Sequence, residues 1–578
     1  MTPAADPALS SGSEAAKRAD LLFLAGVVAI SVLPYVFQLG FSSDDWAFLS
    51  SMRFSSDHSA LGRFHAVFAA HDNAARPVQF GVLAVLYSVF GLEPTGYHLF
   101  NAAVLLLGIV LFHLVLVELA QPRTIAVAVP LLYALLPNYA TDRFWVAAFQ
   151  ATLSMMLFFL HLYAELRSLR PGQIPPWGWK GLAALALLAS VFAYEVFIPL
   201  FLLTPLLVDR RFRSDGRPTG VGTRWTGGWA AWAPTLLLLL PAVALTRLTM
   251  SRMRSPDGVV DQLLYVYGLA KRAVGLGSPR SYGLDIGEAV RVHFWTYGAG
   301  FPAILVRLLR QHLDAAAVAT ACLLGGVIFA YLHSLREGSD GGSATRRRAA
   351  ALIATGMVVF AGGYAIFLTT ENVGFTPTGI GNRTAIAATC GVAISGTGAL
   401  AWLTSWCPSV NLRRGIFCGL LALWCAAGSA VISTLGSFWG AAYQLQLAIL
   451  SQIRRNVPPP PAASAFLLDG VCPYHGPAVV FETSWDLTGA LRLAYGDPSL
   501  HADVVSPRLR VEWEGLVTSI YDQKERYDYD KLFIYDARGN RLYNVENSMV
   551  AQRYFARPTP PEALTCPSGK PGHGTSMF

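Results

Sequence analysis

The sequence predicts an all-α polytopic membrane protein of about eleven transmembrane helices, with a small C-terminal α/β domain outside the cytoplasm. Three observations carry this expectation. Of the 578 residues, 53% are hydrophobic and only 14% charged, whereas about a quarter of a soluble domain is charged. The apolar residues are gathered into long runs, and about 20 such residues cross a hydrocarbon core of roughly 30 Å. After residue 435 those runs stop, and short β-like stretches replace them. Composition therefore excludes the several soluble domains that length alone suggests.

Residues 21–40 form the first span, preceded by Lys17 and Arg18. No small-residue cleavage site follows this run, so it is an uncleaved span with the N-terminus in the cytoplasm. Further spans are expected at 97–119, 124–138, 145–165, 180–194, 196–208, 229–249, 314–333, 349–369, 384–404 and 415–435. Eleven is an odd number, which places the C-terminus outside. The run 76–92 is taken as a juxtamembrane helix, because a span there would invert every later loop.

Charge supports this topology. The net charge is +8, yet from residue 436 onward there are 13 Lys/Arg and 14 Asp/Glu. The excess thus lies among the apolar runs, which argues against a nucleic-acid partner. The expected cytoplasmic segments hold 17 Lys/Arg, including Arg210, Arg211, Arg213 and the run Arg346 to Arg348, against three in the first external loop. Segment 250–313 disagrees: it would be external, yet holds eight basic residues. Its part from 288 to 313 fits either an interfacial amphipathic helix or a further span.

The expected organisation is a transmembrane domain over 1–435, with external loops 41–96, 139–144, 250–313 and 370–383. An amphipathic and proline-rich linker (436–461) leads to an external domain at 462–578, where KLFIYDARGNRLYNV signals a hairpin turning at 537–540. Seven cysteines form no C-x-x-C pair and no metal-ligand spacing. Cys322, Cys390, Cys407, Cys418 and Cys425 lie in or beside apolar helices as small hydrophobes. Cys472 and Cys566 stand apart, and in an oxidising exterior they can pair or remain free thiols.

Candidate chemistry gathers on one expected face. FSSDDWAFL places Asp44 and Asp45 just after the first span, and adjacent carboxylates mark either a functional site or a helix cap with acids in its first turn. The first loop adds His65, His71, Asp72 and Arg76-Pro77. The second adds Asp142-Arg143, a later turn Tyr194-Glu195, and the GIGNRT loop Arg383. Singly, each is explained by loop solvation, snorkelling or capping; their shared side points to a site. Asn382 also begins an N-x-T triplet, a glycosylation pattern common by chance.

The order of these features resembles the GT-C superfamily of glycosyltransferases, and within it the protein O-mannosyltransferases and lipid A aminoarabinose transferases. The features are one span, a long first loop opening on Asp44-Asp45, a basic residue plus proline at Arg76-Pro77 starting an apolar helix that ends in FG, and a second-loop acid at Asp142. The resemblance covers residues 20–210 well, the GNR loop loosely and the C-terminal domain not at all. It implies a polyprenyl-phosphate sugar as donor, hexosyl or pentosyl transfer with inversion, a multi-pass place in the bacterial inner membrane, and a periplasmic C-terminal domain. The acidic motif falls on Asp44 and Asp45 and the second-loop aspartate on Asp142, where Arg143 follows instead of proline. Arg76 takes the place of a Lys-Pro or His-Pro-Pro element.

This chemistry suits the residue types. A carboxylate must take the proton of the acceptor hydroxyl and balance an oxocarbenium-like transition state; Asp44 is the expected base, with Asp45 second. Arginine forks bind phosphate oxygens bidentately, so Arg76 and Arg383 are expected on the donor phosphate, with Arg143 in reserve and Glu195 and His71 in support. The acceptor is a lipid, a glycan or a protein, and the bilayer holds the donor tail. No cofactor is required by these residues, and a divalent metal is compatible with them. A polytopic transporter or flippase, or a non-catalytic scaffold of the same fold, fits the spans equally; the absence of an evident repeat and the position of the acids at loop edges weigh against transport.

Overall fold

Seven helices of the described residues are long and apolar enough to cross a membrane. The structure is a computed structural model that describes residues 7–70, 75–170, 173–214, 223–254, 286–312, 314–335, 342–369, 375–506, 508–520, 523–557 and 566. The first expected span is a helix over Pro7–Val32. The next is Pro94–Glu118; then come Val146–Arg167, Pro176–Ala193, Ala315–Ser334, Thr345–Ala365, Ile380–Thr404 and Val410–Asn456.

Three of the expected spans depart from a simple crossing. The helix Arg123–Leu135 has 13 residues, roughly 20 Å at 1.5 Å per residue. It is too short to cross alone but is buried among its neighbours from Ala126 to Leu135. The run 196–208 breaks into Glu195–Phe197, Ile198–Phe201 and the start of Thr204–Ser214, because Pro199 and Pro205 cannot donate helical hydrogen bonds. The helix Thr223–Arg254 contains Pro234 and Pro241, and its apolar part is Ala233–Thr246.

The last span and the expected linker are one helix. Val410–Asn456 runs for 47 residues, about 70 Å at 1.5 Å per residue, more than twice a hydrocarbon core. Its C-terminal part is therefore a stalk beyond the bundle. Nothing between 436 and 456 breaks a helix, and the run Pro458 to Pro461 is what ends it. Within segment 250–313, residues 255–285 lie outside the described residues. The remainder forms Ile286–Val290, a wide-turned helix Arg291–Ala299 and the 11-residue helix Phe301–Gln311. A kink at Gly298 separates that last helix from the two before it, and by itself it is roughly 17 Å long.

The two ends of the bundle differ. At one end Arg123 pairs with Asp20 at 2.9 Å, Arg170 with Glu118 at 3.0 Å and Lys180 with Glu165. These lie in the turns expected to be basic. The helix Pro94–Glu118, 25 residues long, separates that end by roughly 37 Å from the candidate site at its N-terminus. Gly356 and Gly391 let the helices Gly342–Ala365 and Ile386–Thr404 approach closely. A Cβ on Gly391 would lie 2.3 Å from Phe360 N, and one on Gly356 2.4 Å from Ser395 N. That packing holds the loop carrying Arg383 over the bundle.

The C-terminal domain builds a four-stranded sheet in the order β2-β1-β3-β4, from β1 (Ala465–Asp469), β2 (His501–Val504), β3 (Leu532–Asp536) and β4 (Arg541–Asn544). β1 runs parallel to β2 and β3, and β3 and β4 form the expected hairpin through 537–540. The helix Ser484–Tyr495 is the crossover between β1 and β2. Cys472 and Cys566 are joined in a disulfide. The domain shares a hydrophobic core with the loops: Phe466, Leu468, Leu487 and Leu491 pack in one cluster with Trp46, Phe48, Trp145 and the stalk residues Trp439 and Leu450.

Candidate active site

Four separated loops and the C-terminal domain meet at one end of the bundle. The acidic pair opens the helix Asp44–Arg53. Ser43 precedes it at φ 50°, a conformation that costs a non-glycine residue about 1–3 kcal/mol and persists only where neighbours enforce it. Its side chain makes no capping hydrogen bond, so this is not a serine-capped helix start.

The two carboxylates have different surroundings. Asp45 is buried, and both its oxygens accept backbone amides: Ser42 N at 2.8 Å and Ala147 N at 2.7 Å. It therefore fastens the first loop to the second, helped by Trp145 Nε1 donating to Ser42 O at 2.9 Å. Burial pushes the Asp45 carboxyl well up, opposed by those amides and reinforced by the charge of Asp44. Asp44 is half-buried. Its Oδ1 accepts from Trp485 Nε1 at 2.9 Å, and Oδ2 has no hydrogen bond among the described residues.

Arg76 immediately precedes the helix Pro77–Phe90. Its guanidinium forks onto Glu195, Nε to Oε2 at 3.2 Å and Nη2 to Oε1 at 3.1 Å, and lies over the Tyr194 ring at 4.7 Å. Burial would lower the Arg76 pKa; the charges of Glu195, Tyr194 and Asp44 outweigh it and raise it. Asp44 and Arg76 thus stand within electrostatic reach of each other.

Asp142 is fully buried, and neither of its carboxylate oxygens has a hydrogen-bond partner among the described residues. Burial pushes it well above the usual carboxylate range, against the pull of Arg383 and Arg143. Arg143 is itself buried, donating to Ala134 O and lying over the Tyr139 ring at 5.4 Å. Arg383 is half-buried and stacks on the Trp145 ring at 4.7 Å. It has no hydrogen bond or ion pair among the described residues, which leaves its planar fork open. Thr141 N donates to Asn382 Oδ1 at 3.1 Å and Thr141 Oγ1 to Gly379 O at 2.7 Å, fixing the Arg383 loop against the second loop.

Asp44, Asp45, Arg76, Asp142, Arg143, Glu195 and Arg383 therefore belong to one connected region. His71 and Asp72 lie outside the described residues. Asn382 is buried, with Nδ2 donating to Asn138 O and Pro377 O at 2.8 Å each, so the folded chain does not offer it as a glycosylation acceptor. Among the described residues no group of three or more His, Cys, Asp or Glu side chains is placed to hold a metal ion. Two aromatic participants escape sequence reasoning: Trp145, which carries Arg383, and Trp485, which reaches Asp44 from 441 residues away. Trp145 had a weak signal, a tryptophan directly after the Asp-Arg-Phe of the second loop. Trp485 had none.

The arrangement defines a polytopic helical protein with a mixed carboxylate and arginine site roofed by an α/β domain. No protein-family model and no curated protein matches the chain. Among solved structures it is similar to the crystal structure of ArnT from Cupriavidus metallidurans bound to undecaprenyl phosphate, at 15% identity and a TM-score of 0.38 over 84% of this chain and 85% of that one. The apo structure of the same protein matches at 14% identity and a TM-score of 0.34, over 82% and 84%.

Proposed function

We propose that this protein is an integral membrane glycosyltransferase, moving a hexosyl or pentosyl group from a polyprenyl-phosphate donor to an acceptor hydroxyl on the side of the C-terminal domain. One observation carries the reading: a half-buried carboxylate, Asp44, whose Oδ2 has no hydrogen bond among the described residues, stands in the same loop cluster as Arg383, an arginine with no hydrogen bond or ion pair among the described residues, at the end of an apolar bundle. The bilayer holds the polyprenyl tail while the head group reaches these loops. The bacterial inner membrane, with the C-terminal domain in the periplasm, is the setting that agrees with the basic turns at the opposite end.

Asp44 takes the acceptor's proton as the hydroxyl oxygen bonds to the anomeric carbon. The bond from that carbon to the phosphate oxygen breaks, and polyprenyl phosphate leaves with the electron pair. A single displacement of this kind inverts the anomeric centre. Arg383 binds the phosphate and stabilises its growing charge, and Arg76, already held by Glu195, lends positive potential. Asp45 positions the acidic helix. Asp142, pushed toward its neutral form, sits behind Arg383 together with Arg143.

The test is incubation of the purified protein with radiolabelled polyprenyl-phosphate sugars and membrane extracts. The wild type is expected to consume one donor, and Asp44→Asn to lose transfer while retaining expression and melting temperature. Near-normal turnover by Asp44→Asn would remove the base assignment. Lipid translocation in vesicles without consumption of any donor would replace the whole reading with a flippase.

A further inference from the structure

The C-terminal domain, whose purpose the sequence leaves unread, touches the candidate base directly. Its helix Ser484–Tyr495 begins with a capping box in which the Thr483 side chain and Asp486 exchange backbone hydrogen bonds, so the first turn is rigidly set. Trp485 lies in that turn, and its indole Nε1 donates to Asp44 Oδ1 at 2.9 Å. One turn later Gly489 lies against the backbone of Trp46, where a Cβ would come within 2.4 Å of the carbonyl carbon and oxygen. No side chain fits between the two helices at that point. The Trp46 indole in turn donates to Gln446 Oε1 at 3.1 Å, and Gln446 Nε2 donates to Val480 O at 2.7 Å. The acidic helix, the stalk and the C-terminal domain are thus locked together within a few residues of Asp44.

We propose that the C-terminal domain is a working part of the active site and that Trp485 is a positioning residue for Asp44. This rests on the glycosyltransferase reading above. A carboxylate has two equivalent oxygens and a freely turning side chain; an indole N–H on Oδ1 removes that freedom and leaves Oδ2 turned to the acceptor. The donor phosphate is bound by arginines of the other loops, so loss of Trp485 changes the chemical step and leaves donor affinity alone. A domain that served only as a tether, or as a surface for another protein, has no need of this bond.

The test uses the full-length protein in detergent and two independent readouts. In nitrogen-15 spectra of the indole N–H groups, the resonance missing from Trp485→Phe identifies Trp485, and in Asp44→Ala it is expected to move upfield as the charge-assisted bond is lost. In steady-state kinetics Trp485→Phe is expected to lower kcat about 10- to 100-fold, the scale of a small misplacement of a catalytic group, with donor KM unchanged. In an Asp44→Asn background it is expected to add no further loss. Gly489→Ala, which pushes the helix away without touching the indole, is expected to reproduce the kcat loss if Trp485→Phe fails to fold. An indole resonance indifferent to Asp44→Ala overturns the contact. Wild-type kcat in both Trp485→Phe and Gly489→Ala overturns the positioning role. Absence of donor turnover by the wild type, with the indole shift present, overturns the glycosyltransferase reading and the positioning role with it, while the docking contact stands.

Discussion

Asp44 and Asp45 are adjacent, chemically identical and expected to fail in different ways when replaced. Asp45 accepts the amides of Ser42 at 2.8 Å and Ala147 at 2.7 Å, in a buried position. Asp45→Ala leaves two buried N–H donors without acceptors, and each such donor costs about 1–3 kcal/mol. The expected destabilisation is therefore about 2–6 kcal/mol. Asp45→Asn keeps one acceptor oxygen and turns an NH2 group toward the other amide, so it should fall between Ala and wild type. Thermal unfolding of the detergent-solubilised chain measures the series, with sugar transfer measured on the same samples. Melting should drop in the order wild type, Asn, Ala at position 45, and stay constant for Asp44→Asn, whose transfer is lost. An Asp45→Ala protein that melts with the wild type would refute the assignment of Asp45 as a loop fastener. An Asp44→Asn protein that melts as early as Asp45→Ala would remove the division of roles.

Three further outcomes follow from the same geometry. Arg383→Ala should raise donor KM about 10- to 100-fold, the equivalent of a charge-assisted contact worth roughly 1.5–3 kcal/mol, without lowering the melting temperature. Arg383→Lys should recover part of it, because charge is kept and the planar fork lost; equal KM for all three proteins would exclude Arg383 from the donor site. Reduction of the Cys472–Cys566 disulfide, which closes a 94-residue loop, should destabilise the C-terminal domain by about 2–4 kcal/mol, read as earlier proteolysis of 462–578; unchanged proteolysis would contradict this. The third concerns pH. Burial raises the Asp503 carboxyl from 3.8 to about 6 and the Asp486 carboxyl from 3.8 to about 8. The folded chain therefore binds more protons than the unfolded one, and stability falls as pH rises from about 4, through about 6 for Asp503 and about 8 for Asp486. The Asp503 part amounts to about 3 kcal/mol at most. Asp503→Asn should lessen the slope of melting temperature between about pH 4 and pH 6, and a slope unchanged in that variant would count against the assignment.

Much of the membrane part was legible because each feature is a local property of the chain. A run such as 97–119 must be a buried or membrane helix whatever surrounds it, and the observed helix is Pro94–Glu118. The hairpin at 537–540 follows equally from an Ala-Arg-Gly-Asn turn between two alternating strands. Where local rules met a neighbour's demands they lost precision. Arg123–Leu135 is short because it is enclosed by other helices, and the stalk is continuous because helix propagation needs no apolar solvent once begun. The candidate loops were recognisable as polar segments on one side, but not the pairing of Arg76 with Glu195, 119 residues apart.

Sequence alone carried the membrane character of this chain, the change to short strands near its C-terminus and the polar loops between apolar runs, since hydropathy and charge act over a few residues. Only the tertiary structure separated Asp45, bound by two buried amides, from Asp44, which has one oxygen without a hydrogen bond among the described residues. It alone paired Arg76 with Glu195, left Arg383 without an ion pair among the described residues, and brought Trp485 from the C-terminal domain onto Asp44. Those distinctions depend on which groups are desolvated together and which hydrogen bonds remain available to them. Both are properties of contacts between distant segments, and no window along the chain contains them.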